Sequence, residues 1–360
     1  MPIFRAIIKY IEPYSVRELF ALAAVFLFAF LLVFSSRYSR LYSNDTVFSE
    51  ENSVLYLSEK TDLNTLANTL YQMNIISDPA EFEWAGNTLG WRTFRPGRYE
   101  TGEPHSYGDF MSKLARGIQD ETQVTVLPGL DAALISRNLA RQLRADSSEF
   151  ADIFTDSSDV ALELGLKGSE LAAKMLPESY KFFWTTDPES VIKRIHSEFE
   201  RIVAEGLSEE IEQSELGLHE ILTLASIVEW EAKVREEKRK ISGLYLNRLQ
   251  RNMRLQADPT VIYALGEKRR LLFEDYKFEH PYNTYLVDGL PPGPITNPDL
   301  ESIKAVLNPA SHNYLYMVAT PDGSHTFSRT FDEHKIASDQ WRKFIREQTR
   351  IRRQMEKEMR

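Results

Sequence analysis

The chain has no cysteine among its 360 residues. That removes disulfides, thiolate nucleophiles and cysteine-ligated zinc, and it fits an extracytoplasmic protein. No GxSxG elbow, Walker loop or GxGxxG fingerprint occurs, so serine-hydrolase, P-loop and dinucleotide chemistry lack their local signatures. His219-Glu220 opens like HExxH, but the fifth position is Thr223 and the second zinc ligand is missing. The seven histidines are scattered, and Ser324-His325 sits on a Pro-Asp-Gly turn where adjacent side chains point apart. Positive charge is also short: the formal net charge is -10, which argues against a nucleic-acid partner. Carboxylate chemistry remains.

Apolar content is ample. With 42% hydrophobic residues the chain can build at least one real core, and its length allows roughly two or three domains. Residues 19–36, LFALAAVFLFAFLLVFSS, carry no charge between Glu18 and Arg37, a membrane-spanning length. A cleaved signal peptide is the rival, but the run is long for one and no clean small-x-small site precedes the charges. Arg5, Lys9 and Arg17 precede the span and Arg37 and Arg40 follow it, so charge bias is small. An N-in, C-out orientation is expected because every segment with functional character follows the span.

After a polar stretch, a strand-like run at 54–59 leads into a helix that Thr61 or Asp62 can cap, with Leu63, Leu66, Leu70 and Met73 at helical spacing. FRPGRYE (94–100) reads as turn and strand, followed by a helix near 107–117 and a strand at 123–127, a small β-α-β-α unit. Residues 127–143 give strand, Pro-Gly turn and helix. The aromatics Tyr180, Phe182, Phe183 and Trp184 can line a sugar cleft, though core packing is the simpler role. From about Asp332 the chain is a helix rich in both charges, read as a solvated face or frayed tail.

LTLASIVEWEAKV (222–234) reads like the middle of a buried helix interrupted by glutamates. At about 100° per residue, Leu218, Leu222, Ala225 and Glu229 share one stripe, while Glu220 and Glu231 point to the far side. A carboxylate on a packing face is protonated, partnered or lining a cleft, and the last suits a catalytic acid. Asp258-Pro259 places an acid before a proline at a helix start, where the plain reading is a cap. The stretch 280–298, HPYNTYLVDGLPPGPITNP, is a long loop of binding-site composition.

Five ordered motifs carry a resemblance: ASIVEWE (225–231), LNRLQRNMRLQADPTVIYALG (246–266), PYNTYLVDGLPPGPI (281–295), LNPASHNYLYMVA (307–319) and GSHTFS (323–328). In these the chain resembles the YceG/MltG family of endolytic murein transglycosylases, and residues 54–127, with FRPGRYE, resemble the LysM-like domain of that family. The resemblance implies an α+β protein: cytoplasmic residues 1–18, one transmembrane helix (19–36), a linker (37–52), a small LysM-like β-α domain (53–127), a mixed α/β YceG-like catalytic domain (128–346) and a charged tail (347–360).

It also implies cleavage of the β-1,4 MurNAc-GlcNAc bond of peptidoglycan glycan strands to a 1,6-anhydro end, with no metal or other cofactor. The family's catalytic acid falls on Glu229. Gln256, Asp258, Tyr282, Asn283, Thr284 and Tyr285 are the implied substrate-binding residues. The membrane and the synthases, penicillin-binding proteins, are the implied neighbours. Ala232, Lys238 and Ala257 depart from the family's Thr, Arg and Thr. Two rivals stay open: a two-carboxylate hydrolase using Asp258 or Glu231, and a wall-binding protein without catalysis.

Overall fold

A computed structural model describes residues 15–43, 46–47 and 53–358. Most of the expected cytoplasmic segment, residues 44–45 and 48–52 of the linker, and the last two residues lie outside the described residues. The chain divides into two compact units, residues 1–122 with 183–185, and residues 123–182 with 186–360.

The first unit begins with α1 (Val16–Tyr42), started by a capping box between Ser15 and Glu18. It is long and apolar enough to cross a membrane, and it leaves Phe20, Phe26, Phe28, Phe30 and Leu31 exposed, as a lipid-facing helix does. Then come β1 (Val54–Leu57), β2 (Thr61–Asp62), α2 (Leu63–Gln72), α3 (Pro79–Leu89), β3 (Thr93–Phe94), β4 (Gly97–Glu100) and α4 (Tyr107–Arg116). Asp62 caps α2 by accepting from the Asn64 and Thr65 N–H groups.

The expected β-α-β-α order needs correction. Asp78 and Pro79 start a second helix that Gly90, at φ +80°, stops, so two helices separate β1 from its antiparallel partner β4. Leu55, Leu66, Leu70, Phe82, Tyr99 and Phe110 fill the core between them. The aromatic cluster disperses: Tyr180 and Phe182 are buried in the second unit, Phe183 is exposed, and Trp184 meets Tyr56 edge-on with centroids 5.0 Å apart.

Strand β5 (Glu121–Thr125) pairs with β6 (Ser179–Phe183), most of each belonging to the second unit. Around this pair stand α5 (Ala132–Ala140), α6 (Ser147–Ile153), α7 (Asp159–Leu164), α8 (Gly168–Ala173) and α9 (Pro188–Phe199), over Phe150, Leu171, Met175 and Ile195. After α10 (Ser208–Gln213) comes α11 (Leu218–Glu231), buried on every side from Ile221 to Val228. Its neighbours are α12 (Lys238–Gln250), α13 (Asp258–Leu265) and α14 (Leu300–Leu307). An all-round apolar helix of this kind belongs at the centre of a core and makes a rigid support for a site.

The antiparallel hairpin β7 (Tyr316–Ala319) and β8 (His325–Ser328) follows, and α15 (Phe331–Glu358) packs on it. The helix runs through position 347 without a break. Its first half is a packed element, which corrects the reading of a wholly solvated face.

Candidate active site

Helix α11 delivers two carboxylates to two different environments. Glu229 Oε2 accepts from Lys238 Nζ at 2.9 Å, Ser302 Oγ at 2.7 Å and the Asp299 N–H at 3.1 Å. Lys238 also donates to Asp299 Oδ2 at 2.7 Å, and the side chains of Glu229 and Lys238 are each under a tenth exposed. Burial pushes the Asp299 carboxyl up, but hydrogen bonds from Lys238 and the Ser302 N–H outweigh it and hold it below its ordinary range. Three donors on one oxygen make Glu229 a knot between α11, α12 and α14. Lys238 supplies the cation.

Glu231 is the last residue of α11 and points the other way, into a cleft of about 430 Å³ that it lines with Tyr245, Arg248, Gln256, Asp258, Tyr285 and His325. Burial first, and the nearby Asp258 charge second, push its carboxyl up to about 7, while the hydrogen bond from the Tyr245 hydroxyl at 3.2 Å offsets this only in part. The periodicity of 222–234 placed Glu231 opposite the packing stripe. That opposite face is a cleft wall, not solvent.

Arg248 builds the floor. It is buried, and its guanidinium donates to the carbonyls of Leu315 (2.6 Å), Arg254 (3.0 Å) and Leu255 (2.8 Å) and to Gln256 Oε1 (3.2 Å). Gln256 takes φ +50°, a strained setting for a side chain with a Cβ, and its N–H donates to the Thr284 carbonyl at 3.1 Å. Asp258 is the first residue of α13 and not its cap. Its Oδ1 accepts from the Tyr285 hydroxyl at 2.7 Å and its Oδ2 from the Tyr276 hydroxyl at 3.4 Å. Burial and the Asp258 charge push the Tyr285 phenol up and that of Tyr276 to about 12, so both act as donors.

The remaining loop residues divide by burial. Asn283 is fully buried, donating to the carbonyls of Tyr276 and Phe278 and accepting from the Tyr285 N–H. Thr284, also fully buried, accepts from the Ala257 N–H at 3.0 Å and shares a 2.8 Å hydrogen bond with Thr260. These two brace the loop from inside. Tyr282 packs against Tyr263, the two rings tilted by 44° with centroids 4.7 Å apart, and does not line the Glu231 cleft. Gln256, Asp258 and Tyr285 therefore share the cleft with Glu231, while Glu229 and Tyr282 lie elsewhere.

His219 and Glu220 serve structure: the ring bonds the Pro292 carbonyl at 2.9 Å, and Glu220 accepts the Gly217 N–H at the start of α11. Sequence reasoning passed over Tyr245, Arg248, the Glu237–His325 pair, and His334 and Trp341 of α15, which close one side of the cleft. One signal for Glu231 was present. A glutamate in the final turn opposes the helix dipole, a local fault of the kind that marks a functional position.

The sequence profile described as the YceG-like family matches residues 55–340. The chain is 29% identical to the endolytic murein transglycosylase of Bacillus subtilis strain 168 over 304 residues, covering 78% of this chain and 82% of that protein. It is 26% identical to the endolytic murein transglycosylase of Streptococcus pneumoniae serotype 2, covering 79% of this chain and 58% of that longer protein. A solved yceG-like protein from Listeria monocytogenes aligns with a TM-score of 0.57 at 25% identity, covering 80% of this chain and 99% of that one. With a profile match over most of its length and the same architecture, the chain belongs to the YceG-like family.

Proposed function

We propose that the protein is a membrane-anchored endolytic lytic transglycosylase of peptidoglycan, cleaving the β-1,4 MurNAc-GlcNAc bond, and that Glu231 is its catalytic acid. The observation that carries this reading is the Glu231 carboxyl, raised to about 7 at the wall of a cleft with polar donors. The names of the similar proteins support the same reaction. The role moves from Glu229 to Glu231 because a proton donor must reach substrate, and Glu229 is engaged by three internal donors.

In the reaction Glu231 protonates the leaving glycosidic oxygen. The C6 hydroxyl of the muramic acid residue closes on C1 and gives the anhydro end, so the nucleophile comes from the substrate. Gln256 and the Tyr285–Asp258 pair hold the sugar's amide and hydroxyl groups. Helix α1 keeps the catalytic unit on the extracytoplasmic side, beside the penicillin-binding-protein synthases, where cutting nascent strands limits their length.

A two-carboxylate hydrolase is favoured by one observation, the Asp258 charge that acts on Glu231 across the same cleft. Mass spectrometry of fragments released from uncrosslinked peptidoglycan by the full chain in detergent separates the two. Anhydro ends support the transglycosylase; reducing ends would replace it with the hydrolase; no fragments at all would leave a wall-binding protein.

A further inference from the structure

The end of α1 is built into the first unit. The helix continues past the apolar run 19–36 as far as Tyr42, through the start of the expected linker. Its last turn makes three separate contacts with the rest of the unit. Leu41 is 7% exposed and joins the core of Leu66, Phe82 and Phe110. Arg40 lies on α3: its Nε donates to Glu81 Oε1 at 3.0 Å, and its guanidinium carbon stands 4.0 Å from the centre of the Trp84 ring. Tyr42 lies against the start of α4, where a Cβ on Gly108 would meet the Tyr42 ring at 2.5 Å. A buried leucine, a cation on an aromatic face and a close backbone approach fix one turn of helix, so the direction of α1 sets the direction of the unit.

Helix geometry gives the height of these contacts. Residues 19–36 span about 27 Å as a helix, close to a hydrocarbon thickness of about 30 Å, and Arg40 stands about 6 Å farther on, inside a headgroup layer about 5–8 Å deep. Side-chain character changes at the same level. Phe30, Phe34, Tyr38 and Tyr42 form a ladder of neighbouring rings along one face of α1, with successive centroids 6.1, 6.2 and 5.0 Å apart, and the ladder turns from phenylalanine to tyrosine where the apolar run stops. Arg37, Tyr38 and Tyr42 are exposed, and Trp84 of α3 is half-buried. Tryptophan and tyrosine suit a membrane interface because their rings are amphipathic, and arginine suits it because its guanidinium pairs with phosphate. Resting on the anchor reading of α1, we infer that the first unit is seated on the lipid headgroups of the leaflet from which the chain emerges, through a collar of Arg37, Tyr38, Arg40, Tyr42 and Trp84. The partner is the lipid interface itself, and the unit is held at a set height above the hydrocarbon instead of swinging on a flexible stalk.

The test uses the full chain labelled with fluorotryptophan in nanodiscs of phosphatidylethanolamine and phosphatidylglycerol. Fluorine NMR resolves the five tryptophans, and the Trp84 line is assigned by its loss in Trp84→Phe. A gadolinium chelate tethered to a lipid headgroup is expected to broaden the Trp84 line beyond detection, and an unbroadened Trp84 line in discs that hold the full-length chain overturns the seating. A second measurement leaves the collar intact. Because the chain has no cysteine, spin labels go only to introduced sites, and Phe20→Cys with Asn87→Cys, both exposed positions, reports the distance from the far end of α1 to α3. A single narrow distance distribution in nanodiscs is expected, and a broad one, the mark of a flexible tether, overturns the proposal. A chain recovered outside the discs or at a shorter mass would fail the anchor reading itself, a result distinct from failure of the seating.

Discussion

At the scale of single residues, Glu229 and Glu231 are two positions apart on one helix and have separable consequences. Glu231→Gln is expected to lower turnover at least about 10²-fold without loss of stability, because it removes a proton donor that sits at a cleft wall. Glu229→Gln breaks a buried ion pair and leaves Lys238 and Asp299 with less compensation, at a cost of about 3 kcal/mol, read as a lower denaturant midpoint.

The pH dependence belongs to the same scale. Because the Glu231 carboxyl rises from 4.5 to about 7 on folding, the native state binds the extra proton. Its contribution is fully present below pH 4.5 and is lost as pH climbs to about 7, a change of about 3 kcal/mol. Urea titrations from pH 4 to 8 should show this slope in the wild type and not in Glu231→Gln. Activity should fall above pH about 7 as the acid ionises.

At the scale of elements, α12 carries Tyr245 and Arg248 to the cleft, and its position depends on Gly243. A Cβ there would meet the Ala310 carbonyl oxygen at 2.5 Å, so the helix approaches the 308–312 segment as closely as backbone allows. Gly243→Ala is expected to cost about 2 kcal/mol and to reduce activity along with thermal midpoint. Arg248→Lys removes a fork that joins three carbonyls and Gln256, so turnover should fall while secondary structure by circular dichroism persists. The strained Gln256 backbone depends on that fork and on Thr284, which is why buried, non-reacting residues of the loop matter to the cleft.

For the molecule as a whole, α1 is the helix long and apolar enough to cross a membrane among the described residues. If the helix remains as an anchor, the chain should stay with membranes through alkaline carbonate extraction at its full mass; a shorter, soluble product would identify a cleaved signal instead. If membrane proximity matters to glycan length, a form lacking residues 1–40 should fail to restore normal strands in cells. Normal strands from such a form would make the anchor dispensable for that role.

The sequence by itself determined the elements whose causes are local. Eighteen uncharged residues specify α1, Asp62 and the Leu63–Leu66–Leu70 spacing specify α2, and five ordered motifs specify the family. The pair Asp78-Pro79 and Gly90 mark the two ends of α3 just as locally. Helical periodicity correctly separated the faces of Glu229 and Glu231, because it is a property of one helix. Which face meets packing partners and which meets a cleft depends on Lys238, Ser302, Tyr245 and Asp258, brought from far along the chain. The same holds for Glu237 and His325, 88 positions apart, whose pairing no spacing rule reveals. Pattern within a helix fixes direction, and only tertiary contact fixes what lies in that direction, so the environment that decides a carboxylate's protonation was left to the folded chain.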